Sequence, residues 1–86
     1  MNKTFNTILD IYLDNLIKND YQNYDTINAR LGKTIYDLIK EEQGQKTADD
    51  FITTIDFIVS EKFKGFSDKF KQNYIEKQRE YFKTLF

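Results

Sequence analysis

Without Cys or His, this chain of 86 residues can form no disulfide staple and offers no ordinary transition-metal ligand set. A net charge of −1 with pI near 5.3 argues against a dedicated nucleic-acid binder, and 40% hydrophobic with 16% aromatic residues argues against disorder. No Pro and only three Gly favour long helices joined by short loops, and the length suits a single helical domain over 1–86.

The first element is a helix over Lys3–Lys18. Phe5, Ile8, Leu9, Tyr12, Leu13, Leu16 and Ile17 recur at helical spacing and make a broad apolar face. Thr7, Asp10, Asp14 and Lys18 form the wet side, with Asp14 and Lys18 at a favourable i,i+4 spacing. Ile11 widens the apolar face, so this helix is expected to touch two neighbours. The run is interrupted by Asp10 and Asp14, so it reads neither as a signal peptide nor as a membrane span. A loop follows over Asn19–Tyr24, where Tyr21 and Tyr24 are expected to close over the bundle end.

Asp25, with Asn23 as the alternative, is placed to cap a second helix that runs to about Glu42. Ile27, Leu31, Ile35, Leu38 and Ile39 form its apolar stripe. Gly32 stands mid-helix at a cost of about 1 kcal/mol relative to Ala, which predicts close approach of another backbone there. The flank Ala29, Gly32, Tyr36 reads as a helix crossing first and a docking groove second. Gln43–Lys46 is a short connection in which Gly44 ends the helix.

The most apolar stretch is Thr47–Phe66. Thr47 is the expected N-cap, with Asp49 and Asp50 against the positive end of the helix dipole. Phe51, Ile52, Ile55, Ile58, Val59 and Phe63 fall within an arc of roughly 140°, which outweighs the strand signal of the β-branched residues. Gly65 is expected to close this helix in the left-handed conformation. Phe57 lies nearly opposite the apolar arc; it is covered by a second helix or is an aromatic contact for a partner.

Ser67 caps a fourth helix that runs to about Leu85. Its wheel has two apolar edges: Phe70, Tyr74, Tyr81 and Leu85 on one, and Ile75, Phe82 and Phe86 on the other. The first is expected to fill a groove of the bundle. The second is surplus for so small a domain and is the expected partner surface, unless both edges are intramolecular. The charge is uneven: residues 1–60 carry six basic and ten acidic side chains, and residues 61–86 seven basic and four acidic. Lys69, Lys71, Lys77, Arg79 and Lys83 nevertheless scatter around the wheel, as on a solvated surface.

Several motifs fail on inspection. Gly32-Lys33-Thr34 resembles the end of a phosphate-binding loop, but Ile27 stands where the first glycine belongs. Residues 25–40 have a faint helix-turn-helix look with Gly32 as the turn glycine, yet Asn28 and Lys33 occupy wrong positions and the reading helix would end in Asp37, Glu41 and Glu42. The carboxylate pairs Asp49-Asp50, Glu41-Glu42 and Glu76/Glu80 lie near helix ends or on polar faces rather than in contrasting environments. Asn2-Lys3-Thr4 is a formal glycosylation sequon. The tyrosines suggest nucleic-acid stacking less than they suggest core edges with a wet hydroxyl.

The sequence therefore predicts an all-α antiparallel four-helix bundle over 3–18, 25–42, 47–64 and 67–85, with a three-helix core and a docked fourth helix as the variant. Small helical immunity proteins of bacteriocin systems share such an architecture, an analogy of fold alone. The abundance of Asn, Lys, Ile, Tyr and Phe suggests an AT-rich source, such as a low-GC bacterium or its phages and plasmids. The expected function is a cytoplasmic, non-enzymatic protein-binding module: an inhibitor, immunity or anti-defence factor, or regulator. No cofactor, metal or membrane partner is expected. Phe57, Ile75, Arg79, Phe82 and Phe86 are the expected contact residues. The alternatives are a nucleic-acid-associated regulator using residues 25–40 or the basic C-terminal helix, and a homodimer paired through the Ile75 edge.

Overall fold

The caps written in the sequence set most of the helix boundaries. The computed structural model describes residues 2–22 and 25–86. It contains α1 (Lys3–Lys18), α2 (Thr26–Gln43), α3 (Gln45–Ile58), α4 (Glu61–Lys64) and α5 (Asp68–Thr84), with no strand among the described residues. The side chains of Asn2, Asp25 and Ser67 accept from the backbone N–H groups of Phe5, Ile27 and Phe70, starting α1, α2 and α5. The sequon asparagine is thus a helix cap. The alternative cap Asn23 and the bundle-end residue Tyr24 lie outside the described residues.

Three boundaries depart from expectation. Gly44 alone separates α2 from α3, and its φ of +96° ends one helix and begins the next. The third helix therefore starts at Gln45, ahead of Thr47, and Asp49 and Asp50 fall in its second turn. The stretch expected as one helix over 47–64 is broken at Val59–Ser60. Ser60 donates to the Phe57 carbonyl and accepts from Phe63 N–H, so it closes α3 and caps α4 with one hydroxyl. Gly65 has φ −75° rather than the left-handed value, so its role as a left-handed terminator is not realised.

The end of α1 is a Schellman motif: Tyr21 N–H donates to Leu16 O and Asp20 N–H to Ile17 O. It places Asp20 and Tyr21 at φ 56° and 60°, a strained setting for a tyrosine. Burial holds it there: the Tyr21 ring meets Phe63 edge-on at 5.3 Å, and the Lys71 ammonium lies 5.0 Å above its centre.

Every neighbouring pair of long helices runs antiparallel. Asn15 meets Asn28 and Tyr12 meets Gly32 between α1 and α2. Tyr36 reaches Asp49 and Gln45 between α2 and α3. Phe51 meets Phe82 and Phe57 meets Tyr74 between α3 and α5. Arg79 reaches Asp10, and Phe86 stacks on Phe5, between α5 and α1. The result is an up-down-up-down bundle in which α5 is a full member of the ring rather than a docked extra. Short connections impose this order.

The α1–α2 seam is not the one the apolar pattern suggests. Ile27, expected at its heart, is 77% exposed, and Asn28 is 1% exposed in its place. The Asn28 amide donates to Tyr12 O at 3.4 Å and accepts from Asn15 at 3.2 Å, so its burial is compensated. Gly32 follows one turn later on the same face. A β-carbon there would lie 2.8 Å from Tyr12 Cε1, so glycine makes room for a buried aromatic ring rather than for a backbone. In the first half of α2, Asn28 and Gly32 thus replace Ile27 and Leu31 on the inner face, while Ile35 and Ile39 of the expected stripe are fully buried. Residues 25–40 contain no turn: Thr26–Gln43 is one helix, which removes the helix-turn-helix reading.

Candidate partner-binding surface

The orientation of α5 is fixed by charge as well as by apolar burial. Arg79 and Lys83, one turn apart, face Asp10 and Asp14, one turn apart on α1. Arg79 donates to Asp10 at 2.7 Å and to Asp14 at 2.8 Å, with Glu76 at 3.3 Å, and Lys83 reaches Asp10 at 2.9 Å. The Arg79 side chain is only 12% exposed. Burial alone would raise the Asp10 carboxyl, but hydrogen bonds from Lys83 and Arg79 and their charges hold it below its ordinary range. Burial likewise opposes the Arg79 charge, and the hydrogen bonds to Asp10 and Asp14 with the charges of Glu76 and Asp14 overcome it. Asp14 therefore pairs across helices rather than with Lys18.

With Arg79 turned toward α1, the two apolar edges of α5 exchange their expected roles. Ile75 and Phe82 are fully buried in the core, Phe82 meeting Phe51 edge-on at 5.2 Å. Phe86 stacks on Phe5 at 4.0 Å and is half-buried. Gln43 on α2 donates to the Leu85 carbonyl and ties down the same end. The edge expected to be surplus surface is thus interior, and Ile75 and Phe82 offer nothing to a partner. Arg79 is spent on the α1 carboxylates.

The outer edge is where aromatic surface remains. Phe70 is 41% and Tyr81 47% exposed. They stand eleven residues apart, three helical turns, and therefore on one line along α5. Tyr74, half-buried between them, has its phenol pushed up by burial, a hydrogen bond with Thr54 opposing this only in part. Phe70 lies against Phe66 in a tilted pair at 4.3 Å, and these rings continue inward to Phe63 and Phe57. Phe57, expected to be either covered or a contact, is half-buried: Phe63, Phe66 and Tyr74 lie around it, with ring centres at 5.3, 6.2 and 5.2 Å. It supports the outer stripe from beneath.

The charged surface does not form a basic track. Lys71 is buried against Tyr21 and Asp68, and Arg79 and Lys83 are committed to α1, leaving Lys69 and Lys77 exposed beside Glu76 and Glu80. Among the described residues, no group of three or more acidic side chains has the geometry to hold a metal ion, and no helix is long and apolar enough to cross a membrane. Asp49 accepts from Gln45 and Tyr36, and Glu76 is drawn to Arg79.

The signal that sequence reasoning missed is the complementary spacing of Asp10/Asp14 and Arg79/Lys83. Either edge of α5 is apolar enough to be core; this charge match, together with the packing of Phe82 on Phe51, marks which one is. No protein-family model, curated protein or solved structure matches the chain.

Proposed function

We propose that this chain is a non-enzymatic, cytoplasmic protein-binding module that acts by covering a surface of its partner, as a small inhibitor, immunity or anti-defence factor, or regulator does. Phage or plasmid origin suits the composition. The observation that carries the reading is the outer stripe of α5: Phe70 and Tyr81 stay in water although the core beneath is closed by Ile75, Phe82 and Phe63. Large aromatics on one rigid helical line are the anchor type that dominates protein interfaces. Their support from Phe66 and Tyr74 makes the stripe continuous rather than a scatter of single exposed residues.

The test uses wild type and the double variant Phe70→Ser/Tyr81→Ser as parallel baits in lysate of the source organism, with circular dichroism to establish that both fold. A protein held by wild type and lost by the double variant supports the reading. Binding that is equal for both baits puts the contact elsewhere.

A further inference from the structure

The exposed line on α5 carries its own complement. Lys69 and Glu80 are also eleven residues apart, so they lie three turns from each other on one flank of the Phe70–Tyr81 line. Both are exposed, and neither pairs with another described residue, whereas Lys71, Glu76, Arg79 and Lys83 are all engaged. Asn73 and Lys77 lie between the flank and the line, both exposed.

From this arrangement we infer that the occupant of the stripe is a second copy of the chain, docked antiparallel through α5; the inference rests on the reading of that stripe as a binding surface. A two-fold axis near residue 75 sets Phe70 over the partner's Tyr81, Asn73 against the partner's Lys77, and Lys69 against the partner's Glu80. Each pairing occurs twice, as an isologous contact requires. Antiparallel helices bring like flanks together, so the Lys69–Glu80 match follows from the same axis that pairs the rings. A parallel arrangement would set opposite flanks against each other, separating Lys69 from Glu80 and bringing Lys77, which lies near the line, against Lys77, so charge selects the antiparallel one. Nucleic acid and anionic membrane fit poorly, since either would meet Glu76 and Glu80 on this flank. One helix face per subunit is a small interface, which makes the dimer weak and concentration-dependent.

Sedimentation equilibrium of the full chain at low salt, from micromolar to about millimolar, reads the association directly. The mass of wild type is expected to rise from 10.4 kDa toward twice that value. Lys69→Glu and Glu80→Lys each place like charges at both sites and weaken the dimer about tenfold or more. An equimolar mixture of the two variants restores opposite charges at both sites, and association returns toward the wild-type level. High salt shrinks the charge effects and leaves the aromatic contribution. Wild type remaining at 10.4 kDa at the highest concentration overturns the inference, as does a mixture that associates no better than either variant alone. A monomer that still captures another protein through Phe70 and Tyr81 overturns only the second copy and leaves the protein-binding reading standing. Loss of both disposes of the stripe altogether.

Discussion

The two long edges of α5 have similar residues and opposite fates. Ile75 and Phe82 are buried in the core, while Phe70 and Tyr81, about 120° around the same helix, remain in water. Composition does not separate them. The difference comes from the partners that each edge is forced to meet. Arg79 and Lys83 lie beside the inner edge and are drawn to Asp10 and Asp14, so pairing the charges turns Ile75 and Phe82 inward. An amphipathic helix with a wide apolar arc is oriented by its polar neighbours, and that rule sorts fold from surface here.

The strongest way to break the comparison is to truncate a ring on each edge. Phe82→Ala is expected to cost about 3–5 kcal/mol in urea unfolding, through lost burial and the cavity left against Phe51. In a chain this short that is most of the stability. Phe70→Ala is expected to cost about 1 kcal/mol or less. Equal losses at the two positions would contradict the assignment.

Gly32→Ala asks whether close fit alone defines an inner face. Alanine is worth about 1 kcal/mol in helix propensity, but its methyl would lie 2.8 Å from a Tyr12 ring packed near Phe51. A net loss of about 1–3 kcal/mol is expected. A gain in thermal midpoint would mean that the Tyr12 ring yields.

Arg79→Met keeps the stem and removes the charge that orients α5. A loss of about 1–2 kcal/mol at neutral pH is expected, kept modest because Asp10 and Asp14 remain partly in water. The Asp10 carboxyl is held below its ordinary 3.8, so its native-state pairing adds stability that is fully present above 3.8. That stability disappears as the pH falls through the lower native value. The gap between wild type and Arg79→Met should therefore narrow in that acid window, as followed by urea midpoints across pH. A gap independent of pH would assign the effect to packing of the Arg79 stem instead. The smallest change belongs to Tyr81→Ser, within about 0.5 kcal/mol of wild type in urea, as for an exposed residue outside the core.

Much of the fold was legible because it is written locally. Ser67 and Asp25 announce helix starts by side-chain chemistry alone, and Gly44 announces a stop. The α1 bounds agree residue for residue with the periodic apolar run from Lys3 to Lys18. The break at Ser60 was also written, as a serine ahead of Glu61, but the longer apolar period across Ile58, Val59 and Phe63 concealed it. What the sequence hid was rotational. A stripe including Ile27 is a better apolar face than one including Asn28, and only the acceptor at Tyr12 O makes the asparagine the better interior residue. The inner and outer edges of α5 were hidden similarly, since their order depends on carboxylates about sixty-five residues away in the chain. Local signals specify elements; the facing of each element is set by partners that a one-dimensional pattern does not place together.

The most direct measurement of that facing is hydroxyl-radical footprinting of α5 in dilute wild-type protein, read residue by residue by mass spectrometry. Phe70 and Tyr81 are expected to label rapidly and Ile75 and Phe82 to stay protected until the chain unfolds. Labelling of Phe82 in the folded protein at a rate matching that of Tyr81 would contradict the account.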